Sequence, residues 1–314
     1  MKTIKSLQSR HLFIAAMAAV ALSGAMSGAA IAHDEEKSKS GFSWNFNIGL
    51  GNFISYGHNR TKGSGVVKEE ARTVANFSRL VLALPATVTL TQGATESLSI
   101  SADENLLPLL RTRVDGDELI IDAEKTHGFS TKREIRIKLT VKSLNAIAIK
   151  GSGDVIGDQL KSDKFDIAIA GSGDVKFKSI RADQFKIGIN GSGDVSVDAL
   201  EGKSVDAAIR GSGDIKLASV QANTVNISVH GSGDVYAAGN ADRVDVEING
   251  SGDVRTRKLV AREAGVRIVA SGDAEVHAKE KLTASVSGSG DIRYAGSPAN
   301  VGKAVRGSGS IEAL

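Results

Sequence analysis

From about residue 145 onward the apolar residues fall on alternate positions, and the same pattern returns about every 20 residues. Two positions ahead of a recurring Gly-Ser-Gly-Asp tetrad stand Ile149, Ile169, Ile189, Ile209, Val229, Ile248, Ile268, Val286 and Val305. Four ahead stand Ile147, Ile167, Ile187, Ala207, Ile227, Val246, Val266 and Ala284, and Val155, Val175, Val195, Ile215, Val235 and Val254 follow the tetrad directly. The positions between are polar or small. Period-two alternation of β-branched residues predicts strands with one face inside.

The tetrads begin at Gly151, Gly171, Gly191, Gly211, Gly231, Gly250 and Gly288. A variant opens with Ala270, and the last, from Gly307, ends in Ser310. One coil cannot bury its apolar side alone, so repeats with the same residue types in the same places must stack in register. The predicted fold is all-β, a parallel β-helix with coils of about 20 residues. Each coil reads strand, tetrad corner, strand, second polar corner. Handedness, and a choice between two and three flat faces, stay open. Glycine is expected at the corner because it reaches backbone angles that a Cβ opposes.

Regular coils are expected over 145–312 within a β-helix domain over 77–314, whose first part is less regular. There Leu80–Leu84, Val88–Leu90, Ser97–Ser101, Glu118–Asp122 and Ile135–Val141 read as strands, and Asp103–Leu107 as a turn or short helical piece closed by Pro108. Residues 33–76 read as a mobile leader, with Phe42, Trp44, Phe46, Phe53 and Tyr56 set among Gly, Ser and Asn. Residues 1–32 have a basic start (Lys2, Lys5, Arg10), an apolar run from Leu12 to Leu22 and the small-x-small site Ala30-Ile31-Ala32. That is the form of a secretory signal peptide. Export to the periplasm or the cell exterior is therefore expected, with no membrane-spanning segment after cleavage.

Charge changes the picture once the signal is set aside. Of 39 basic residues three leave with it, so 36 face 36 acidic ones and no general pull toward nucleic acid remains. There is no cysteine, so stability must come from burial and hydrogen bonds without disulfides.

The tetrads place Asp154, Asp174, Asp194, Asp214, Asp234, Asp253, Asp273 and Asp291 in one column. Carboxylates stacked at about 4.8 Å repel, by about 1 kcal/mol per neighbour in water. A cation ladder is the functional possibility. One Asp per coil supplies too few oxygens for calcium, so these residues are expected to cap turns and not to hold metal. Three residues ahead of the tetrads, on the outward side, Ala148, Ala168, Gly188, Ala208 and Ser228 form a strip of small residues that could meet another flat layer. No catalytic motif appears, and the six histidines show no metal spacing. Tyr236 and Arg255-Thr256-Arg257-Lys258 are the main local breaks in the repeat, read as surface variation. No catalytic residues and no cofactor are expected.

The run Asp103-Glu104-Asn105-Leu106-Leu107-Pro108, then Asp117-Glu118-Leu119-Ile120-Ile121, then Ser143-Leu144 ahead of iterated Gly-Ser-Gly-Asp turns resembles the putative auto-transporter adhesin, head GIN domain family. The resemblance implies a parallel β-helix in exported or envelope proteins and supplies no catalytic residues. The functional expectation is an exported, non-enzymatic binding, adhesion-type or self-associating module. Its partners would be glycans, envelope components or further copies of the chain. The alternative is a carbohydrate-active enzyme, a polysaccharide lyase or hydrolase, on the same scaffold.

Overall fold

The computed structural model describes residues 60–124 and 128–314. The proposed signal peptide and the aromatic part of the leader, including Phe42–Tyr56, lie outside the described residues. The described chain is nearly all β and forms a solenoid of about eight turns. Successive coils pair in parallel and in register: Ile147 beside Ile167, Ile167 beside Ile187, Ile187 beside Ala207, Ala207 beside Ile227. The aliphatic columns of the sequence are the columns of the core, and Ile149, Ile167, Ile187, Ile209 and Val229 are all buried.

Burial along one coil shows its cross-section. Val175 and Phe177 point inward, then Ile180 and Ala182, then Phe185, Ile187 and Ile189. Between these groups the alternation breaks at Lys178-Ser179, at Asp183-Gln184 and at Asn190–Ser192, where consecutive side chains face outward. A chain that turns its pleat outward twice in succession is rounding a corner. Each coil therefore has three sides and three corners, one of them the tetrad. Inside, ring size is matched between coils. Phe165 stacks on Phe185 with centroids 5.9 Å apart and meets Phe177 edge-on at 5.8 Å. Gly157 leaves the space that the Phe177 ring fills, since a Cβ there would lie 2.0 Å from it.

The first third departs from simple stacking. The strand Arg79–Ala83 lies between Ala146–Gly151 and Glu118–Ala123, parallel to both, and Ala86–Gln92 lies parallel to Ile135–Val141 and to the start of the first full coil. Arg60–Lys62 pairs in parallel with Gly128–Ser130, and the other pairings here are antiparallel. Ser97–Asp103 runs between Val67–Arg72 and Ile135–Val141, and Leu110–Asp115 forms a hairpin with Glu118–Ala123. Pro108 sits in a single 3₁₀ turn, Leu107–Leu109. These pieces bury Leu98, Ile100 and Leu110 in the core shared with the coils, covering an edge that would otherwise offer unpaired backbone groups. The leader boundary expected at residue 76 is corrected by the same pairing. Arg60–Lys62 and Val67–Arg72 are strands of the fold, because Val67–Arg72 supplies the outer edge that Ser97–Asp103 needs.

Candidate functional site

The tetrad corner explains how the aspartate column is tolerated. Each Asp Oδ1 accepts the backbone N–H of the Asp one coil later: Asp154 from Asp174 at 2.9 Å, Asp174 from Asp194 at 3.0 Å, Asp194 from Asp214 at 2.9 Å, Asp214 from Asp234 at 2.8 Å. The series continues through Asp253, Asp273 and Asp291, and closes where Ser310 donates both its N–H and its hydroxyl to Asp291 Oδ1. In return the Asp carbonyl of the later coil accepts the amide that follows the earlier tetrad, as Asp174 does from Val155 at 2.8 Å. The carboxylate thus takes the place of a backbone acceptor where the ladder turns the corner. In the later coils Arg255 answers the second oxygens of Asp234 and Asp253, at 3.1 and 2.8 Å. Among the described residues no group of three or more His, Asp or Glu side chains is placed to hold a metal ion.

The first glycine of the tetrad is held at positive φ at Gly151, Gly171, Gly191, Gly211, Gly231, Gly288 and Gly307, from +115° at Gly151 to +145° at Gly288, Gly250 being the exception. A Cβ on Gly171 would also stand 2.2 Å from the Gly151 carbonyl oxygen. Ala270 occupies one of these positions at φ +131°, a strained setting for a residue with a side chain.

The small-residue strip faces outward but is sheltered. Ala168 and Ala208 are buried, and Ala148, Gly188 and Ser228 are half-buried. Longer residues border the strip on both sides: Asp166, Lys186 and Asp206 two positions before, Lys150, Asn190 and Arg210 two positions after. It is the floor of a shallow furrow. Of the local breaks, Thr256 is buried and donates to the Glu275 carbonyl at 3.0 Å, where the pairing of neighbouring coils shifts register.

A larger concavity lies at another corner, and the sequence reading passed over it. A groove of about 590 Å³ crosses four coils at the row Gln159, Ser179, Ala199, Ser219. Lys161, Arg181, Glu201 and Gln221 line its far side. Its signal in the sequence is the short residues Ser179, Ala199 and Ser219, eight positions after the tetrad starts Gly171, Gly191 and Gly211, bounded by Arg181, Glu201 and Gln221 two positions on. At its upper end the Gln92 side-chain amide accepts the Lys161 N–H at 2.8 Å and donates to the Lys161 carbonyl at 3.0 Å, standing in for a missing strand. Arg181 and Glu201 pair across adjacent coils within the groove. Outside it Lys178 and Asp158 pair at 2.9 Å, and that hydrogen bond holds the Lys178 ammonium above the ordinary lysine range.

The family pattern described as putative auto-transporter adhesin, head GIN domain matches residues 76–203 and 186–298, most of the solenoid. The chain belongs to that family. Among solved structures, a putative lipid binding protein from Parabacteroides distasonis ATCC 8503 is 26% identical with a TM-score of 0.64, over 82% of this chain and 100% of that one. Putative adhesins from Parabacteroides merdae ATCC 43184 and P. distasonis are 23% and 24% identical. Both have TM-scores of 0.67 and cover 82% of this chain, and 99% and 100% of their own. At that identity these two share the head GIN fold. No curated protein matches the chain. No helix among the described residues is long and apolar enough to cross a membrane.

Proposed function

We propose that this head GIN protein is an exported, non-catalytic binding module of the adhesion type. In this reading its groove at Gln159–Gln221 takes an extended, hydroxyl-rich chain such as an envelope or surface glycan. The observation that carries it is the groove itself. It spans four coils, and its volume lies in the range of ligand sites. Its walls offer the amides of Gln159 and Gln221, the hydroxyls of Ser179 and Ser219, and the Arg181–Glu201 pair. Amides and hydroxyls both donate and accept, which is what a polyol requires. Polar side chains recur at the rung spacing of about 4.8 Å, of the order of one sugar ring, so an extended ligand meets a donor or acceptor at each coil: Gln159 and Lys161, Ser179 and Arg181, Glu201, then Ser219 and Gln221. The lining holds no aromatic residue, so each ring contributes little and affinity must accumulate along the chain. The family's description as adhesins is consistent with this.

The test is a glycan array followed by incubation of each hit with the protein and a search for new reducing ends or unsaturated products. Binding without turnover is expected. Product release would replace this proposal with the enzyme on the same scaffold.

A further inference from the structure

Away from the groove, at the capped end of the solenoid, two loops enclose a cleft of about 530 Å³. One wall is Lys62-Gly63-Ser64-Gly65 and the other Ser130-Thr131-Lys132-Arg133. The loops come from segments nearly 70 residues apart, and a polar hub centred on the buried Asp103 joins them. Asp103 is only 2% exposed. Its Oδ1 accepts the Gly65 N–H at 3.1 Å and its Oδ2 accepts the Thr131 hydroxyl at 2.6 Å. Asn105 accepts the Ser64 N–H at 2.8 Å and donates to the Lys62 carbonyl at 2.8 Å. The Gly63 N–H meets the Ser130 carbonyl at 2.8 Å, and the Arg133 N–H meets the Thr131 hydroxyl at 2.8 Å. Gly63 packs so close to Asp103 that a Cβ would fall 1.8 Å from Oδ2.

The hub fixes the loops, and the loops present three cations. Lys62, Lys132 and Arg133 are exposed at the cleft. Among the described residues none of the three side chains takes part in an ion pair. Along the coils, by contrast, Lys178 and Lys203 each have a carboxylate within 2.9 Å. The Asp103 carboxylate lines the cleft but is only 2% exposed and is engaged by the Gly65 N–H and the Thr131 hydroxyl, so it offsets part of the three charges from below. Against three cations and one buried anion, a dianion restores neutrality. Arg supplies a planar fork suited to phosphoryl oxygens and Lys a point charge. The cleft is far larger than one phosphate, and lysine stems offer apolar walls for whatever the phosphate is attached to.

We infer that this cleft binds the phosphoryl group of a phosphorylated small molecule or lipid headgroup, through Lys62, Lys132 and Arg133. The test is isothermal titration of the full exported chain with glucose 6-phosphate and with glucose. A second arm is co-sedimentation with phosphatidylcholine vesicles, with and without phosphatidic acid. Lys132→Ala/Arg133→Ala is the informative variant, since neither side chain touches the hub, and Lys176→Ala/Lys216→Ala removes two exposed cations elsewhere. Wild type should bind glucose 6-phosphate or the phosphatidic acid vesicles and not their neutral counterparts, and whichever probe binds identifies the source of the phosphate. The K132A/R133A pair should weaken binding at least tenfold, and the control pair less than twofold. No binding of either phosphorylated probe, equal loss in the control, or undiminished binding by K132A/R133A would overturn the inference. Groove binding to glycans should be unchanged in all variants, which keeps the two sites separable.

Discussion

At the corner of each coil the Asp194 carboxylate does the work of a backbone carbonyl, accepting the Asp214 amide at 2.9 Å. Two consequences separate its shape from its charge. Asp194→Ala leaves that amide without its partner and should cost about 1–2 kcal/mol, read as a lower urea midpoint with unchanged slope. Asp194→Asn keeps an oxygen acceptor and removes repulsion from the neighbouring carboxylates. It should match or exceed wild type, the more so at low salt. Because Oδ1 along the column is already taken by amides, a chelator should leave the melting temperature unchanged, and a fall of many degrees would instead reveal a structural cation. Ala270 offers a gain, since glycine at φ +131° relieves strain of about 1–3 kcal/mol against a smaller entropic loss. Ala270→Gly should raise the denaturation midpoint; a lower midpoint would show that the alanine is not strained.

At the scale of the coil, stability is a sum over near-identical neighbours. Deleting residues 176–195 returns every aliphatic column to register, so the shortened chain should fold with a modestly lower melting temperature. Deleting 176–185 puts corner residues against core positions and should abolish cooperative unfolding. The inward columns at Ile147, Ile167 and Ile187, and the outward aspartates between them, were legible in the sequence because parallel stacking repeats one local pattern. The antiparallel cap was not. Ser97–Asp103 alternates as a parallel rung would, and its direction is set by how the chain returns from Val67–Arg72 to Ile135–Val141, which alternation does not encode. The same holds for the sites. The groove centres on the short residues Ser179, Ala199 and Ser219, and its depth depends on where the coil bends; the cleft brings Lys62 near Lys132 because Asp103 ties Gly65 to Thr131, a pairing that only the folded cap creates. The strip Ala148–Ser228 alternates with the inward columns, yet Ala168 and Ala208 are buried, because the longer residues on its flanks shelter it.

Across the whole solenoid, the proposed binding function draws on regularity. A groove built from four coils has no single essential contact, so binding should strengthen as a glycan lengthens and level off once all four are spanned. Substitutions at one rung should then act by blocking the path, with little effect from deleting a contact. Ala199 sits mid-groove and is exposed, so Ala199→Trp fills the channel without entering the core. The decisive measurement is the affinity of this variant and of wild type for the strongest array ligand, taken by titration beside a thermal melt of each. The account predicts at least a tenfold loss of affinity with an unchanged melting temperature. Equal affinity for the two proteins would contradict it, because the ligand would then lie somewhere other than the groove.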